Sequence, residues 1–175
     1  MSLAEEIQQR RPFSCLQEEA LLSVFVTWDL LSRNLQRILR SRGLSLAQYN
    51  VLRILRGAGD QGVPLMTIAR RMVVLYPNIT RLTDRLETVG WIYRQRCTED
   101  RRIVRAFASP AGVKLLESLD AEIEELNRHL MRGVAVEDLR TLIAILEAVR
   151  KPLRAEAAVQ DVPECDSEEN GSSAR

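Results

Sequence analysis

The sequence predicts a mainly α-helical chain with one small β-hairpin. Apolar residues recur at spacings of three and four through most of its length, the period of an amphipathic helix. At one place only, after Gly90, the pattern changes to two short β-rich runs around a polar tip. Basic charge is concentrated on the stretch that contains this change. The chain has 175 residues, 46% of them hydrophobic and 28% charged, which suits one domain, or one with an appendage.

The first long helix carries Leu21, Val24, Trp28, Leu31, Leu35 and Ile38 as one stripe, with Pro12 before it and Gly43 after it as punctuation. Ser45-Leu-Ala-Gln48 then reads as a capping box, with Leu44 and Tyr49 in the two staple positions. The helix it opens carries Leu52 and Leu55 and is expected to stop at Gly57. A short helix fits Leu65, Ile68, Ala69 and Met72. The next is expected to start near Pro77, to bury Ile79, Leu82 and Leu86, and to end at Gly90. Trp91–Arg96 and Ile103–Ala108 read as strands with Cys97–Arg102 as the tip. Ser109-Pro110 is an N-cap followed by proline in the first helical position. Two helices follow, one with Leu116, Leu119, Ile123, Leu126 and Leu130, the other with Leu139, Leu142, Leu146, Val149 and Leu153, separated by Gly133. Beyond Leu153 the periodicity fades into a polar, acidic tail with the composition of a disordered segment.

The overall charge of +1 conceals a segregation. Between Pro64 and Ala108, nine arginines face four acids, a net of +5; between Ala155 and Arg175, six acids face one arginine, a net of −5. Lysine occurs only at positions 114 and 151, so the basic stretch is made of arginine, whose planar fork suits phosphates and guanine edges.

Composition also excludes classes. The longest apolar runs, such as Met72–Tyr76, are far short of the roughly 20 residues of a membrane span. The N-terminus lacks the pattern of a secretory signal. Cys15, Cys97 and Cys165 are scattered and odd in number, and His129 is the one histidine, so neither a disulfide framework nor a zinc site is expected. A reducing, cytoplasmic setting is the default. No catalytic Ser–His, Cys–His or metal cluster can be assembled; no enzyme activity and no cofactor are expected.

The order of helix, short connection, helix, strand, charged loop and strand resembles a helix-turn-helix followed by a wing. Its second helix is the size of element that enters a DNA major groove. Opposite the buried stripe, that helix keeps Asn78, Arg81, Asp84 and Arg85. Asparagine can pair with adenine and arginine with guanine, while Pro77 and Thr80 suit contact with thymine methyls. The hairpin adds Arg94, Arg96, Arg101, Arg102 and Arg105 beside it. The first and last helices have no other obvious surface to bury against and are expected to pair with a second copy, an intramolecular core being the alternative.

Leu44–Leu52, Ile79-Thr-Arg-Leu-Thr-Asp-Arg-Leu-Glu87 with Gly90, then Asp100-Arg-Arg102 and Ser109–Gly112 resemble successive blocks of the MarR family of bacterial transcription regulators. The resemblance covers roughly residues 14–154. It implies a dimeric winged helix-turn-helix protein that binds a pseudo-palindromic operator on double-stranded DNA, acts as a repressor, and releases DNA when a small ligand or oxidant acts. It further implies that residues Tyr76–Arg85 read DNA, that Asp100 braces Arg102 in the minor groove, and that Arg101 meets phosphate. The sequence departs from the family at Leu75-Tyr-Pro-Asn78, which lacks a Ser or Thr cap, and at Ser109-Pro110, where Leu-Thr is more usual.

The expected organisation is an N-terminal arm and dimerisation helix over 1–43, a winged helix-turn-helix over 44–108, C-terminal dimerisation helices over 109–154, and an acidic, disordered tail over 155–175. The expected DNA-binding residues are Tyr76, Pro77, Asn78, Thr80, Arg81, Arg85, Arg94, Arg101 and Arg102. An effector pocket would lie between the dimerisation helices and the winged region, with Trp28 and Tyr49 as candidate lining and a core role as their alternative. Two other readings stay open: a thiol-based oxidant sensor using Cys15, and a helical interaction protein that no longer binds DNA. Gly57-Ala-Gly-Asp-Gln-Gly62 matches a nucleotide-binding signature letter for letter, but a helix precedes it and Val63-Pro64 follows, so an interhelical loop is expected. Asn78-Ile-Thr80 and Asn170-Gly-Ser172 match the glycosylation pattern by chance, given no secretion signal.

Overall fold

The computed structural model of the chain describes residues 2–73, 76, 78–97 and 102–160. It divides into two compact units, Met1–Leu130 and Met131–Arg175. The expectations for Pro77, Asp100, Arg101, Cys165 and the tail beyond residue 160 lie outside the described residues.

In the first unit a short helix, α1 (Leu3–Glu6), precedes the long α2 (Leu16–Ser41). Three elements then build the helical middle: α3 (Leu46–Ala58), α4 (Leu65–Arg71) and α5 (Ile79–Thr88). The hairpin strands are β2 (Ile92–Arg96) and β3 (Val104–Ala108), and α6 (Pro110–Leu130) closes the unit. A strand the sequence did not announce, β1 (Val63–Pro64), lies between α3 and α4. It pairs antiparallel with β3, Val63 opposite Ala106, so the sheet order is β1-β3-β2. In the hairpin Ile92 faces Ala108 and Arg96 faces Val104, and the Tyr93 and Phe107 rings stack at 5.0 Å.

The local punctuation forms as expected, with small shifts. Ser45 Oγ accepts the Gln48 amide at 3.2 Å, and the Ser45 amide donates to Gln48 Oε1 at 2.9 Å. Both staple residues, Leu44 and Tyr49, are buried. Helix α3 passes through Gly57 and ends one residue later. At the end of α5, Gly90 takes φ +76°, its amide donates to Glu87 O at 2.9 Å, and the Trp91 amide donates to Leu86 O at 3.0 Å. This is a Schellman ending, which satisfies carbonyls the helix leaves open. Ser109 Oγ accepts the Gly112 amide at 3.0 Å, so the expected cap of α6 is present.

The core joins Leu39 of α2, Leu52 and Leu55 of α3, Ile68 of α4, Leu82 and Leu86 of α5, Ile92 and Ala106 of the sheet, and Leu116 and Leu119 of α6. Helix α6, expected to serve pairing, packs within this unit, on α2 and α3. The α2 stripe divides in two. Leu35 and Ile38 touch the core and Leu39 is fully buried, whereas Leu21, Val24 and Trp28 are exposed. The nucleotide-like signature falls at the end of α3 and on a turn of 3-10 helix (Gly59–Gln61), without the preceding strand that phosphate binding requires. Its last glycine has a packing role: a Cβ on Gly62 would sit 2.4 Å from the Phe107 ring.

The second unit contains α7 (Val136–Gln160), which continues past Leu153, where the sequence pattern fades. Leu142, Ile143, Ile145, Val149 and Leu153 are all exposed on it. No described helix is long and apolar enough to cross a membrane.

Candidate nucleic-acid interface

Helix α5 is two-sided because its sequence is. Leu82, Thr83 and Leu86 are buried, and Thr83 satisfies its hydroxyl by donating to the Ile79 and Thr80 carbonyls at 3.0 and 2.9 Å. The other side presents Thr80, Arg81, Asp84 and Arg85 to solvent. Arg81 and Arg85 are one turn apart and therefore project from the same side.

The helix begins at Ile79, and Asn78 is its N-cap. Asn78 Oδ1 accepts the Arg81 amide at 2.8 Å. That answers the missing Ser or Thr: asparagine is an equally strong cap. The same oxygen is the one that two-point pairing with adenine would use. Tyr76 is partly buried against the core rather than standing free. Val73, at the other end of this connection, donates its amide to Asn50 Oδ1 of α3 at 2.8 Å, and Asn50 is buried. The sequence reading missed Asn50, since an asparagine inside a helix gives no signal of a distant backbone partner.

On the hairpin, Arg96 and Arg102 are exposed, and Arg105 donates to the Gln61 carbonyl at 3.2 Å. Arg94, expected at the DNA, is turned onto α5. Its Nε and one terminal nitrogen lie 2.8 and 2.5 Å from Glu87 Oε2, and its other terminal nitrogen lies 2.7 Å from Asp84 Oδ1. The Arg94 backbone amide donates to Glu87 Oε1 at 2.9 Å. Hydrogen bonding from Arg94 holds the Glu87 carboxyl below its ordinary range. Strand alternation carried the missed signal: Arg94 is two residues from the buried Ile92 and so shares its face. Asp84 and Glu87, three apart on α5, supply the two carboxylates from one side of that helix.

A cavity of about 200 Å³ opens between α2, α3 and the start of the α4–α5 connection. Both candidate residues, Trp28 and Tyr49, line it, together with Asn50, Arg53, Met72 and Val73. Tyr49 is buried, and desolvation pushes its phenol above the ordinary value against the opposing charges of Arg53 and Arg56. The Arg53 guanidinium stands 5.7 Å from the Tyr49 ring centroid. Cys15 is exposed at the N-cap of α2 and makes no side-chain capping bond, with Ser14 Oγ at 3.9 Å from its sulfur. His129 is exposed. Among the described residues no His, Cys, Asp and Glu are grouped to hold a metal.

Comparison with known proteins places this arrangement. Residues 44–104 match the model of the MarR family. A MarR transcription factor from Planctomyces limnophilus is 35% identical, over 78% of this chain and 99% of that one, with a TM-score of 0.60. Sco3205, a MarR family transcriptional regulator from Streptomyces coelicolor solved in complex with DNA, is 20% identical over 83% of this chain and 92% of that one, with a TM-score of 0.72. BpsR from Bordetella bronchiseptica, whose DNA binding is regulated by 6-hydroxynicotinic acid, is 17% identical over 76% of this chain and 99% of that one, with a TM-score of 0.67.

Proposed function

Since the chain belongs to the MarR family of transcription regulators, we propose that it acts as a dimeric, sequence-specific DNA-binding repressor with a small-molecule effector. The observation that carries this reading is the two-sided α5: one side anchored in the core by Leu82 and Leu86, the other offering Thr80, Arg81 and Arg85 to a groove. An anchored helix holds its arginines in register with base edges, which a mobile one cannot do. Arg96 and Arg102 on the hairpin extend the contact beside it, Arg102 into the minor groove and Arg101 onto phosphate. The DNA-bound relative supports this use of the fold.

Dimerisation is supported by apolar surface left uncovered on α2, at Leu21, Val24, Phe25 and Trp28, and separately on α7. Contiguous exposed apolar residues of this kind mark interaction surfaces. Two reading helices related by a two-fold axis demand an inverted repeat with half-sites about one turn, roughly 10 base pairs, apart. The effector would occupy the cavity at Trp28 and Tyr49. Met72 and Val73 line the same cavity and lead into the connection before α5, so a ligand there pushes on the chain that sets the reading helix. The relative regulated by 6-hydroxynicotinic acid supports an effector of that size.

The test is a mobility-shift and footprint series on DNA upstream of the coding region. A protected inverted repeat is expected. Arg102→Ala should weaken binding to every sequence, while Arg81→Ala should cost about 1–3 kcal/mol at one base position only. If neither variant changed the footprint, the reading surface would be misassigned. A chain that keeps the fold without DNA affinity would leave every duplex unshifted at low salt.

A further inference from the structure

We propose that Arg94 is a positioning residue of the reading surface and not a phosphate contact: it ties wing strand β2 to α5 and, shared between the two carboxylates that α5 carries beside its reading arginines, offsets one of their two negative charges. The inference rests on the proposed function and assigns this arginine a different task from its neighbours on the wing.

All three guanidinium nitrogens are engaged: Nε and one terminal nitrogen with Glu87, the other with Asp84 at 2.7 Å. Glu87 is held twice, because its second oxygen accepts the Arg94 backbone amide at 2.9 Å. One carboxylate thus fixes both the strand backbone and the side chain that returns to it, and the wing is joined to α5 at a defined separation. The Arg94 side chain is 25% exposed, the least of these three residues, so it lies beneath Asp84 rather than above it. To reach a phosphate it would have to abandon both acids and leave them facing the polyanion.

The electrostatic consequence concerns Asp84. It lies between Arg81 and Arg85 in sequence and is half exposed on the solvent side of α5. An unpaired carboxylate there would repel the DNA backbone. Paired with Arg94, it leaves the outward field of α5 to Arg81 and Arg85. Arg94 therefore favours DNA from a position where it need not touch it.

The number of phosphates neutralised can be read from the salt dependence of binding, since each contributes about 0.9 to the slope of log K against log salt. Full-length wild type, Arg94→Met and the triple variant Asp84→Asn/Glu87→Gln/Arg94→Met are titrated against the footprinted duplex from low to high salt, with Arg102→Ala alongside for comparison. Arg94→Met is expected to bind about tenfold or more weakly with the wild-type slope, and the triple variant to recover most of the loss with the same slope. A slope lower by about 0.9 per subunit, with no recovery in the triple variant, would overturn the assignment and make Arg94 a phosphate contact. Should Arg94→Met alone fail to fold, the triple variant, which has no unpaired carboxylate, carries the slope comparison by itself. Wild type that retards no duplex at low salt would overturn this inference together with the proposed function, whereas a changed slope overturns the Arg94 assignment alone.

Discussion

Replacing Gly112 by alanine should destabilise the protein, while the same replacement at Gly57 should stabilise it. Both glycines lie inside helices, α6 and α3, so propensity alone favours alanine at both. Their surroundings differ. A Cβ at Gly57 meets nothing within 4 Å; at Gly112 it would lie 2.1 Å from the Trp91 carbonyl oxygen and 3.3 Å from Leu52 Cδ2. Contact shorter than 3.0 Å forces a shift, and here the partner is backbone, which must retreat by about an ångström. That carbonyl accepts the Ser109 amide at 3.0 Å, and the amide of the same residue closes α5 on Leu86 O. The strain therefore spreads into the joint between α5, the wing and α6. Overpacking costs about 1–3 kcal/mol, and a contact this short with backbone falls at the upper end, about 2–3 kcal/mol, against about 1 kcal/mol of propensity gained, for a net loss of about 1–2 kcal/mol. At about 2–4 °C per kcal/mol the melting temperature falls by about 2–8 °C, while Gly57→Ala gains about 0.4–1 kcal/mol and rises slightly. Thermal unfolding followed by circular dichroism at one fixed protein concentration decides the matter, because the proposed dimer would make stability depend on concentration. A Gly112→Ala protein that melts at or above the wild type would refute the argument.

Leu86→Ala, beneath α5, should cost about 2–5 kcal/mol in urea unfolding, and a loss below 1 kcal/mol would mean that α5 is not anchored there. Ser45→Ala should cost about 1 kcal/mol through the lost cap of α3, with no change in the base preference of any DNA bound. The Glu87 carboxyl is held below its ordinary value, so its stabilisation is complete above that value and disappears as pH falls through the lower folded one. The gap in urea midpoint between wild type and Glu87→Gln should accordingly be widest near neutral pH and close below about pH 4, and a gap independent of pH would count against the pair. Tyr49 runs the other way: its phenol is raised by burial, so the stability it confers is complete below the ordinary value and is lost as pH rises through the higher folded one. Ultraviolet titration should show one late phenol step that Tyr49→Phe removes.

Features written in neighbouring residues were readable in advance. The Ser45–Gln48 box, the Gly90 ending and the Ser109 cap each depend on atoms within a few positions of one another, and each is present in the structure. Features that depend on distant chain were not. Strand β1 is two residues ending in proline, too short and too poor a donor to signal itself; its partner Ala106 defines it. Asn78 is of a type that suits adenine, and its place before Ile79 also gives its oxygen a near partner in the Arg81 amide. Composition groups Arg94 with the other wing arginines, whereas alternation with the buried Ile92 turns it toward α5.

The order of elements, the basic middle and the two-sided α5 follow from periodicity and charge along the chain, because helices and hairpins are governed by contacts a few residues apart. Which arginines face outward, which carboxylates they meet, and which glycine tolerates a methyl group depend on residues tens of positions away. Arg56 and Asp120, which meet across α3 and α6 at 2.7 Å, are an ordinary pair of surface charges until folding brings those helices together. The same holds for Gly57 and Gly112, identical in sequence terms and opposite in consequence once a carbonyl oxygen stands over one of them.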